Sequence, residues 1–265
     1  MNQIKKILSD IAGIVRVCGW RVALQWAFNV GMTLPECWRT GSLQPADRRM
    51  GPGPFRAKAG NADALLMGPQ VFSGLREIWV RDVYLRGGFL EIPSGALVVD
   101  LGANLGSFTL RALASAPGVK VIAVEPSLSL SESLTRTVEL NGWSSQVTVR
   151  RGFVGMETKV QKSDATMNPD YKTAPYISES QLLGDNPATI IDFLKCDIEG
   201  SEFFLLDRAS TLLRNAKRLA VEIHAWGGSV DAFLDHARGN GFDFGPLVRE
   251  PDGTCIAIGR NRSLA

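Results

Sequence analysis

The sequence predicts an α/β fold in which seven strands form one sheet and a helical extension precedes them. Strand and helix patterns alternate after Gly95, which is typical of parallel strands joined by crossover helices. Residues 250–253 read Glu-Pro-Asp-Gly, a turn that predicts an antiparallel hairpin at the end of the sheet. With 45% hydrophobic and 21% charged residues, the chain has enough apolar side chains for a large core, which excludes disorder for most of it.

The first 60 residues are expected to form an extension ahead of a body at residues 61–265. Apolar side chains between Ile4 and Cys18 recur at helical spacing and predict an amphipathic helix. We expect this helix to pack on its own or a second subunit, which would give a homo-oligomer, and the alternative is a helix lying on a membrane surface. The stretch from Thr40 to Gly60 is rich in Gly, Pro and charged residues and predicts a linker.

Charge, cysteine content and hydropathy narrow the class of protein. The net charge is +2, because 12 basic and 6 acidic residues in 1–90 are offset by 17 basic and 21 acidic residues in 91–265. Such a balance carries no field that indicates nucleic acid. The four cysteines form no C-x-x-C pair, which predicts reduced thiols in the cytoplasm. The uncharged run 22–35 is shorter than the roughly 20 residues that cross a bilayer, so we expect no transmembrane segment.

The elements of the body follow one another in a regular order. Five parallel strands are predicted at 97–101, 120–124, 146–150, 191–196 and 219–223, and two hairpin strands at 242–248 and 254–259. Helices are predicted near 107–116, 128–141, 202–215 and 230–240. Ligands of such sheets bind at the carboxyl ends of the strands, so the residues that follow each strand are the candidates for a site.

The first strand ends in a glycine turn whose composition bears on the cofactor. Asp100 is followed by Gly102 and Gly106, and we expect Gly102 to let a ligand approach the backbone. Dinucleotide sites need G-x-G-x-x-G, but Asn104 stands at the middle glycine here. Glu125 ends the next strand, where a carboxylate can accept both hydroxyls of a ribose. Because Asp100 suits a cationic amino-acid tail and would repel a pyrophosphate, the pattern favours S-adenosylmethionine over NAD, with turn capping as the structural alternative.

Two further strands place acidic and basic side chains at the same edge. The fourth strand ends in Lys-Cys-Asp-Ile-Glu-Gly-Ser-Glu, and its alternation puts Asp197 and Glu199 on one side. The fifth ends with Glu222 and His224 on one side. We predict His224 as a general base, with a substrate hydrogen bond or packing as alternatives, and Asp197 or Glu199 as the next candidates. Glu202 is equally well explained as an acid favoured by the first turn of a helix.

The segments VVDLGANLGSFTL, VIAVEPS and DFLKCDIEGSEFFLL resemble the signature segments of FkbM-type S-adenosylmethionine-dependent methyltransferases. The resemblance extends from about Leu75 to His224 and leaves residues 1–60 outside. It implies the class I methyltransferase variant of the Rossmann-like fold, with five parallel strands and a C-terminal antiparallel hairpin. It also implies methyl transfer to an oxygen, usually a hydroxyl of a saccharide, polyketide or other natural-product acceptor, which leaves S-adenosylhomocysteine. The alternatives are a nucleic-acid methyltransferase, whose N-P-P-Y or D-P-P-Y motif is missing after the fourth strand, and a non-catalytic binding module.

The site predicted on these grounds has three parts. The cofactor site comprises Asp100, Gly102, Ala103, Asn104, Gly106, Ser107, Phe108, Glu125, Pro126, Ser127, Phe153 and Val154. The acceptor is expected to meet Tyr84, Glu202 and Glu222, and also Tyr171 and Tyr176, with Tyr84 and the polar segment 163–180 as a lid. Asp197, Glu199 and His224 are the catalytic candidates. A divalent metal held by carboxylates and a histidine is a further alternative, which no ligand spacing favours.

Overall fold

A computed structural model describes residues 3–86, 89–155, 162–163, 169–184, 186, 188–207 and 210–264 of the chain. Its N-terminal part consists of helices, one β-hairpin and a π-helical turn. In chain order these are α1 (Gln3–Cys18), α2 (Trp20–Met32), α3 (Leu34–Thr40), α4 (Gln44–Arg48), β1 (Phe55–Lys58), β2 (Asp63–Leu66), α5 (Val71–Leu75) and the π-helical turn Arg76–Val80. The predicted amphipathic helix is therefore confirmed as α1. Among the described helices, we find none with the length and apolarity needed to cross a membrane.

The rest of the chain alternates between strands and helices, as the sequence predicts. The elements are β3 (Leu97–Leu101), α6 (Ser107–Ser115), β4 (Lys120–Val124), α7 (Leu128–Leu140), β5 (Val147–Arg150), β6 (Phe153–Val154), β7 (Tyr176–Ile177), α8 (Glu179–Leu183), β8 (Phe193–Cys196), the 3₁₀ turn Glu202–Leu206, β9 (Arg218–Ile223), α9 (Val230–Gly239), β10 (Phe242–Phe244), β11 (Val248–Arg249) and β12 (Cys255–Asn261). Serine side chains cap α7, α8 and α9 by accepting hydrogen bonds from first-turn amides.

The central sheet has the order β10-β12-β9-β8-β3-β4-β5. Strands β5, β4, β3, β8 and β9 are parallel, and β12 pairs antiparallel with β9. The strands that follow β3 in the chain continue on one side as β4 and β5 and then resume on the other side with β8. Ligands of open α/β sheets bind at such a reversal of strand order, so the carboxyl ends of β3, β4 and β8 border the expected crevice. The predicted α/β class and its five parallel strands are confirmed.

The C-terminal hairpin differs from the prediction by one strand. Instead of one strand at 242–248, β10 and β11 both pair with β12 and are separated by residues 245–247. Pro246 lies in this gap, and a proline has no amide hydrogen for a strand ladder. The sheet therefore has eight strands where the sequence predicts seven.

The predicted helix at 202–215 is also wrong, because only the 3₁₀ turn Glu202–Leu206 forms before residues 208–209, which lie outside the described residues. The Glu202 carboxylate folds back to accept hydrogen bonds from two amides of the preceding loop. Further on, Glu179 of α8 accepts hydrogen bonds from the Thr211 amide and hydroxyl. The Thr211 amide, which a continuous helix would direct to the Asp207 carbonyl, is thus bound by a side chain instead.

Alternating residues of the strands fill a core on each side of the sheet. Val98 belongs to one hydrophobic cluster and Val99, its neighbour in β3, to the other. The first cluster also contains Ile14 of α1, Trp26 of α2 and Ala46 of α4, all with no exposed surface. The N-terminal helices therefore share a core with the sheet.

A buried ion cluster joins the N-terminal helices to the π-helical turn. Arg76 Nη2 lies 2.6 Å from Asp47 Oδ2, and Arg76 Nη1 lies 3.0 Å from Asp10 Oδ2. Arg81 Nη2 binds the same Asp10 oxygen at 2.6 Å, and the Trp26 indole donates to Asp47. Because α4 and β1 lie within the stretch 40–60 and Asp47 is fully buried, the expectation of a linker there is wrong. The division of the chain at residue 60 stays a prediction.

Candidate active site

The ends of four parallel strands bring the predicted polar residues to one edge of the sheet. Asp100 belongs to β3, Glu125 follows β4, Asp197 follows β8 and His224 follows β9. The β3–β8 register continues past the strands, because the Asp197 amide donates to the Leu101 carbonyl. Sequence motifs that are up to 124 residues apart therefore meet at this edge, and two cavities open there.

The glycine turn after β3 lies against the backbone of the loop after β8. Gly102 has φ +77°, and a Cβ placed on it would lie 1.7 Å from the Asp197 carbonyl oxygen. Protein backbone thus fills the space that a side chain at residue 102 would take, while Gly102 itself lines both cavities, and its predicted contact with a ligand stays a prediction. Gly106, with φ +80°, would place a Cβ 2.2 Å from Leu134 of α7, so it allows the turn and this helix to pack closely, and it lines neither cavity.

Glu125 is held rigidly at the rim of the smaller cavity. One carboxylate oxygen accepts from the Asn104 amide and the other from the Ser127 amide, each at 2.9 Å. Burial raises the pKa of this carboxyl to about 6, against the lowering effect of those two hydrogen bonds. Glu125 lines a cavity of 150 Å³ together with Pro126, Phe153 and Val154. The smaller cavity therefore combines one fixed carboxylate with an apolar wall.

Of the two predicted acceptor contacts in segment 163–180, one lies on this cavity and the other against its wall. Tyr171 lines it, and its ring centroid is 6.1 Å from that of Phe153. Tyr176 stacks on Phe153 from 5.5 Å and supports the wall from behind. The lid expected over 163–180 includes residues 164–168, which lie outside the described residues. Ser127 caps α7 and lines neither cavity.

The larger cavity, of 450 Å³, lies on the other side of the glycine turn. From the predicted cofactor residues it takes Ala103, Ser107 and Phe108. Four residues line both cavities, namely Gly102, Asn104, Leu130 and Asp197. Among these four, Asp197 alone has a side chain that titrates. Its carboxylate therefore marks the junction of the two cavities.

Asp100 lies beneath the turn and lines neither cavity. It is fully buried, accepts a hydrogen bond from Thr109 at 2.7 Å and pairs with Lys195 Nζ at 3.3 Å. Lys195 also donates to the Gly102 carbonyl at 2.7 Å, which ties β8 to the glycine turn. Asp100 therefore acts on the site through Lys195 and not through the predicted contact with a cofactor tail. Lys195 lines the 450 Å³ cavity and is a site residue that sequence reasoning missed.

Asp197 is surrounded by polar partners. Tyr84 donates from its hydroxyl to Asp197 Oδ2 at 3.0 Å and to Glu222 Oε2 at 3.3 Å, and Lys195 Nζ lies 3.7 Å from the same Asp197 oxygen. Burial, followed by the charges of Asp197 and Glu222, raises the pKa of Tyr84 well above 10, so its hydroxyl stays protonated. Tyr84 is only 3% exposed, and the expectation that it forms a lid is therefore wrong.

Glu222 lies behind Tyr84 and lines neither cavity. Burial raises the pKa of Glu222 to about 8, and the charges of Asp197 and Glu77 act in the same direction. It is therefore largely protonated at neutral pH. Glu77, which lines the 450 Å³ cavity, was not predicted, because it lies before the recognised motifs and 120 residues from Asp197.

His224 is oriented by Glu202. Its Nδ1 lies 2.8 Å from Glu202 Oε1, and its Nε2 lies 3.6 Å from Glu199 Oε2. Burial lowers the pKa of His224, but the hydrogen bond and charge of Glu202, together with Asp197 and Glu199, outweigh it and raise the pKa to about 9. The imidazole is therefore protonated at neutral pH. Glu202 has no exposed surface, so it positions His224 and the loop, and its predicted contact with an acceptor is wrong.

The three catalytic candidates come together but differ in access. Asp197, Glu199 and His224 offer ligand atoms within 4.8 Å of one another, a spacing that suits a metal ion. His224 is an ion-pair partner in this arrangement and ligates a metal only after losing its proton. Asp197 lines both cavities and Glu199 lines the smaller one, whereas His224 lines neither.

The strand order and the site define a Rossmann-like methyltransferase fold. The model of the FkbM methyltransferase domain matches residues 100–244, more than half of the chain, and the chain belongs to this family. AMB antimetabolite synthetase AmbE of Pseudomonas aeruginosa is 25% identical over 225 residues, covering 63% of this chain and 10% of that protein. The chain thus spans about a tenth of the length of that relative.

Solved structures with the same type of fold are also similar. Methyltransferase FkbM from Methylobacillus flagellatus has a TM-score of 0.45 and 16% identity, over 71% of this chain and 54% of that one. The fibrillarin of Aeropyrum pernix, solved with natively bound S-adenosyl-L-methionine, has a TM-score of 0.41 and 13% identity, over 67% of this chain and 73% of that one.

Proposed function

We propose that this methyltransferase uses S-adenosylmethionine to methylate a hydroxyl group, with Asp197 as the general base. One observation carries the proposal: Asp197 is the titratable residue shared by the two cavities. A base must lie within reach of the hydroxyl whose proton it removes, and that hydroxyl must face the methyl donor. The junction of a donor cavity and an acceptor cavity meets both conditions.

The residues of the smaller cavity fit the nucleoside of the proposed cofactor. Glu125 presents a carboxylate whose oxygens are fixed by two backbone amides, which suits the two hydroxyls of a ribose. Phe153 and Val154 supply an apolar wall for an adenine ring. Asp197 and Glu199 add two carboxylates to this same cavity, which suits a cationic amino-acid tail and a sulfonium. S-adenosylmethionine supplies a methyl group already activated by its positively charged sulfur.

The side chains around Asp197 have distinct tasks in this proposal. Asp197 accepts the proton of the acceptor hydroxyl as that oxygen becomes a nucleophile. Tyr84 holds the carboxylate in place by donating to Oδ2, because its raised pKa keeps the phenol protonated. Lys195, bound to the Gly102 carbonyl, keeps the loop after β3 and the Asp197 carboxylate at a fixed separation. His224 lines neither cavity and acts as a positioning residue for the Glu199 loop.

The lining of the larger cavity supports a neutral polyhydroxylated acceptor such as a saccharide or another natural product. Gln44, Gln70 and Ser73 offer amide and hydroxyl groups that pair with hydroxyls. The carboxylates of this cavity are at least as many as its cations, Arg48 and Lys195, so the lining offers no excess of positive charge for the phosphates of a nucleic acid. A small acceptor with several hydroxyls is therefore favoured over a polynucleotide.

The test compares Asp197→Asn with the exposed control Asp235→Asn on α9. A panel of hydroxylated acceptors is incubated with methyl-labelled cofactor, and product is measured by mass spectrometry, while calorimetry measures affinity for S-adenosylhomocysteine. We expect Asp197→Asn to lower kcat by about 10²–10⁴ with nearly unchanged affinity, since only the base is lost.

Three outcomes would contradict parts of this proposal. Wild-type turnover in Asp197→Asn would move the base role to Glu199 or His224. Turnover that a chelator abolishes and magnesium restores would favour the metal cluster over general-base catalysis. Tighter binding of NAD than of S-adenosylhomocysteine would remove the proposal altogether.

A further inference from the structure

The N-terminal helices expose a large apolar surface that the described part of the chain leaves uncovered. We define the apolar face as Ile4 and Leu8 of α1 with Trp20, Leu24, Phe28 and Met32 of α2, whose exposed fractions run from 58% to 66%. Trp38 of α3 is 65% exposed as well. Apolar side chains gathered in this way on a soluble domain mark an interaction site.

The spacing on α2 shows that this face is continuous along the helix. The four α2 members of the apolar face recur every fourth residue, so they form one stripe. The opposite side of α2 is already buried, since Ala23, Trp26 and Val30 pack in the core. The helix is therefore apolar on two sides, although packing in the fold requires only the buried side to be apolar.

Basic side chains border the apolar face. Lys5, Arg16, Arg21 and Arg39 are exposed, and the Arg21 guanidinium lies over the Trp20 ring at 5.4 Å. Asp10 is buried and neutralised by two arginines. Within the described residues 3–40, this leaves one exposed acidic side chain, on α3. The border is therefore positive.

We propose that the apolar face docks on the surface of an anionic lipid bilayer, with α2 lying in the plane of the interface. Tryptophan, phenylalanine and leucine flanked by Lys and Arg are the composition of interfacial helices, because the rings and aliphatic chains enter the acyl boundary while the cations meet lipid phosphates. A second copy of the chain is disfavoured, since a two-fold interface on this face would bring together two surfaces with the same positive border. The proposal does not depend on the acceptor or on the reaction.

The test is co-sedimentation of the full chain with vesicles of phosphatidylcholine, alone or with added phosphatidylglycerol. The wild type should sediment with the anionic vesicles and be released by salt. Leu24→Gln with Phe28→Gln should lower binding at least tenfold, whereas Leu140→Gln with Ile190→Gln, a matched pair of exposed apolar residues elsewhere, should bind as the wild type does. Arg21→Gln should weaken binding to the anionic vesicles and leave binding to pure phosphatidylcholine vesicles unchanged.

Failure of the wild type to sediment, or equal binding by both double variants, overturns the proposal. A dimer in light scattering that Leu24→Gln with Phe28→Gln dissociates, without any vesicle binding, would assign the face to a second copy instead. Thermal unfolding of each variant checks that the exposed substitutions leave the fold intact.

Discussion

Replacing Gly102 by alanine probes the contact on which the site depends. The substitution adds one methyl group where the glycine turn touches the Asp197 carbonyl oxygen, at 1.7 Å from the new Cβ. Because real Cβ contacts do not fall below 3.0 Å, the turn and the Asp197 loop must separate by at least 1.3 Å, the difference between these two distances. The methyl group therefore acts as a wedge between the donor side and the proposed base.

Two costs add up in this variant. A φ of +77° is unfavourable for alanine by about 1–2 kcal/mol. The forced separation adds about 1–3 kcal/mol, as overpacking of a well-packed region does. We expect a loss of about 2–5 kcal/mol in the free energy of unfolding. A displacement of about 1 Å at the reacting groups should also lower turnover by about 10².

Gly142→Ala is the matched control, because Gly142 has φ +71° and nothing within 4 Å of the added Cβ. It should lose only the conformational part, about 1–2 kcal/mol, and keep wild-type turnover. Thermal unfolding measures the stability difference, and steady-state kinetics with calorimetry of S-adenosylhomocysteine measures the effect on the site. Equal melting temperatures for the two variants, with turnover of Gly102→Ala within about threefold of the wild type, would refute the reasoning.

Three further predictions concern charge. Affinity for S-adenosylhomocysteine should rise as pH increases through about 6, because the Glu125 carboxyl then ionises and accepts hydrogen bonds from the ribose more strongly. Calorimetry at a series of pH values should show the rise, and Glu125→Gln should abolish it. The stabilisation from protonated His224 should be complete below pH 6.5 and decline as pH rises through about 9. In Glu202→Gln the pKa of His224 should fall, so the decline in the free energy of unfolding, measured with urea, should occur at lower pH. An unchanged midpoint of the imidazole titration in NMR would contradict this. Arg76→Met should cost about 3–5 kcal/mol because it leaves buried Asp47 without its ion-pair partner, while Asp10 keeps Arg81. Arg238→Met at an exposed pair should cost less than about 1 kcal/mol, and equal melting temperatures would contradict the contrast.

The sequence was sufficient where structure depends on local patterns. Runs such as Leu97–Leu101, with apolar residues for both faces of a parallel sheet, identify strands, and parallel strands necessarily bring their carboxyl ends to one edge. This places Glu125 and Asp197 together before any coordinates are known. The predicted helix at 202–215 is interrupted where the Thr211 amide donates to Glu179, a contact between separate segments that no periodicity reveals.

The partners of the site residues were harder to predict, because they depend on contacts between distant segments. Tyr84 meets Asp197 across 113 residues, and nothing in its local sequence distinguishes a buried hydrogen-bond donor from a surface lid. Lys195 was not among the predicted site residues, yet its ammonium reaches the carbonyl of Gly102. Asp100 was the main reason to expect S-adenosylmethionine, but it is buried and forms an ion pair with Lys195.

The two cavities draw their walls from different parts of the chain. The smaller one is built within residues 101–199, whereas more than half of the residues around the larger one precede residue 100, beginning with Gln44. The family match begins at residue 100, so it spans the proposed methyl-donor side and leaves much of the proposed acceptor wall outside. Acceptor choice can therefore diverge through α4, α5 and the π-helical turn while the shared motifs stay fixed. Exchanging this wall between relatives offers a way to redirect methylation without touching the donor site.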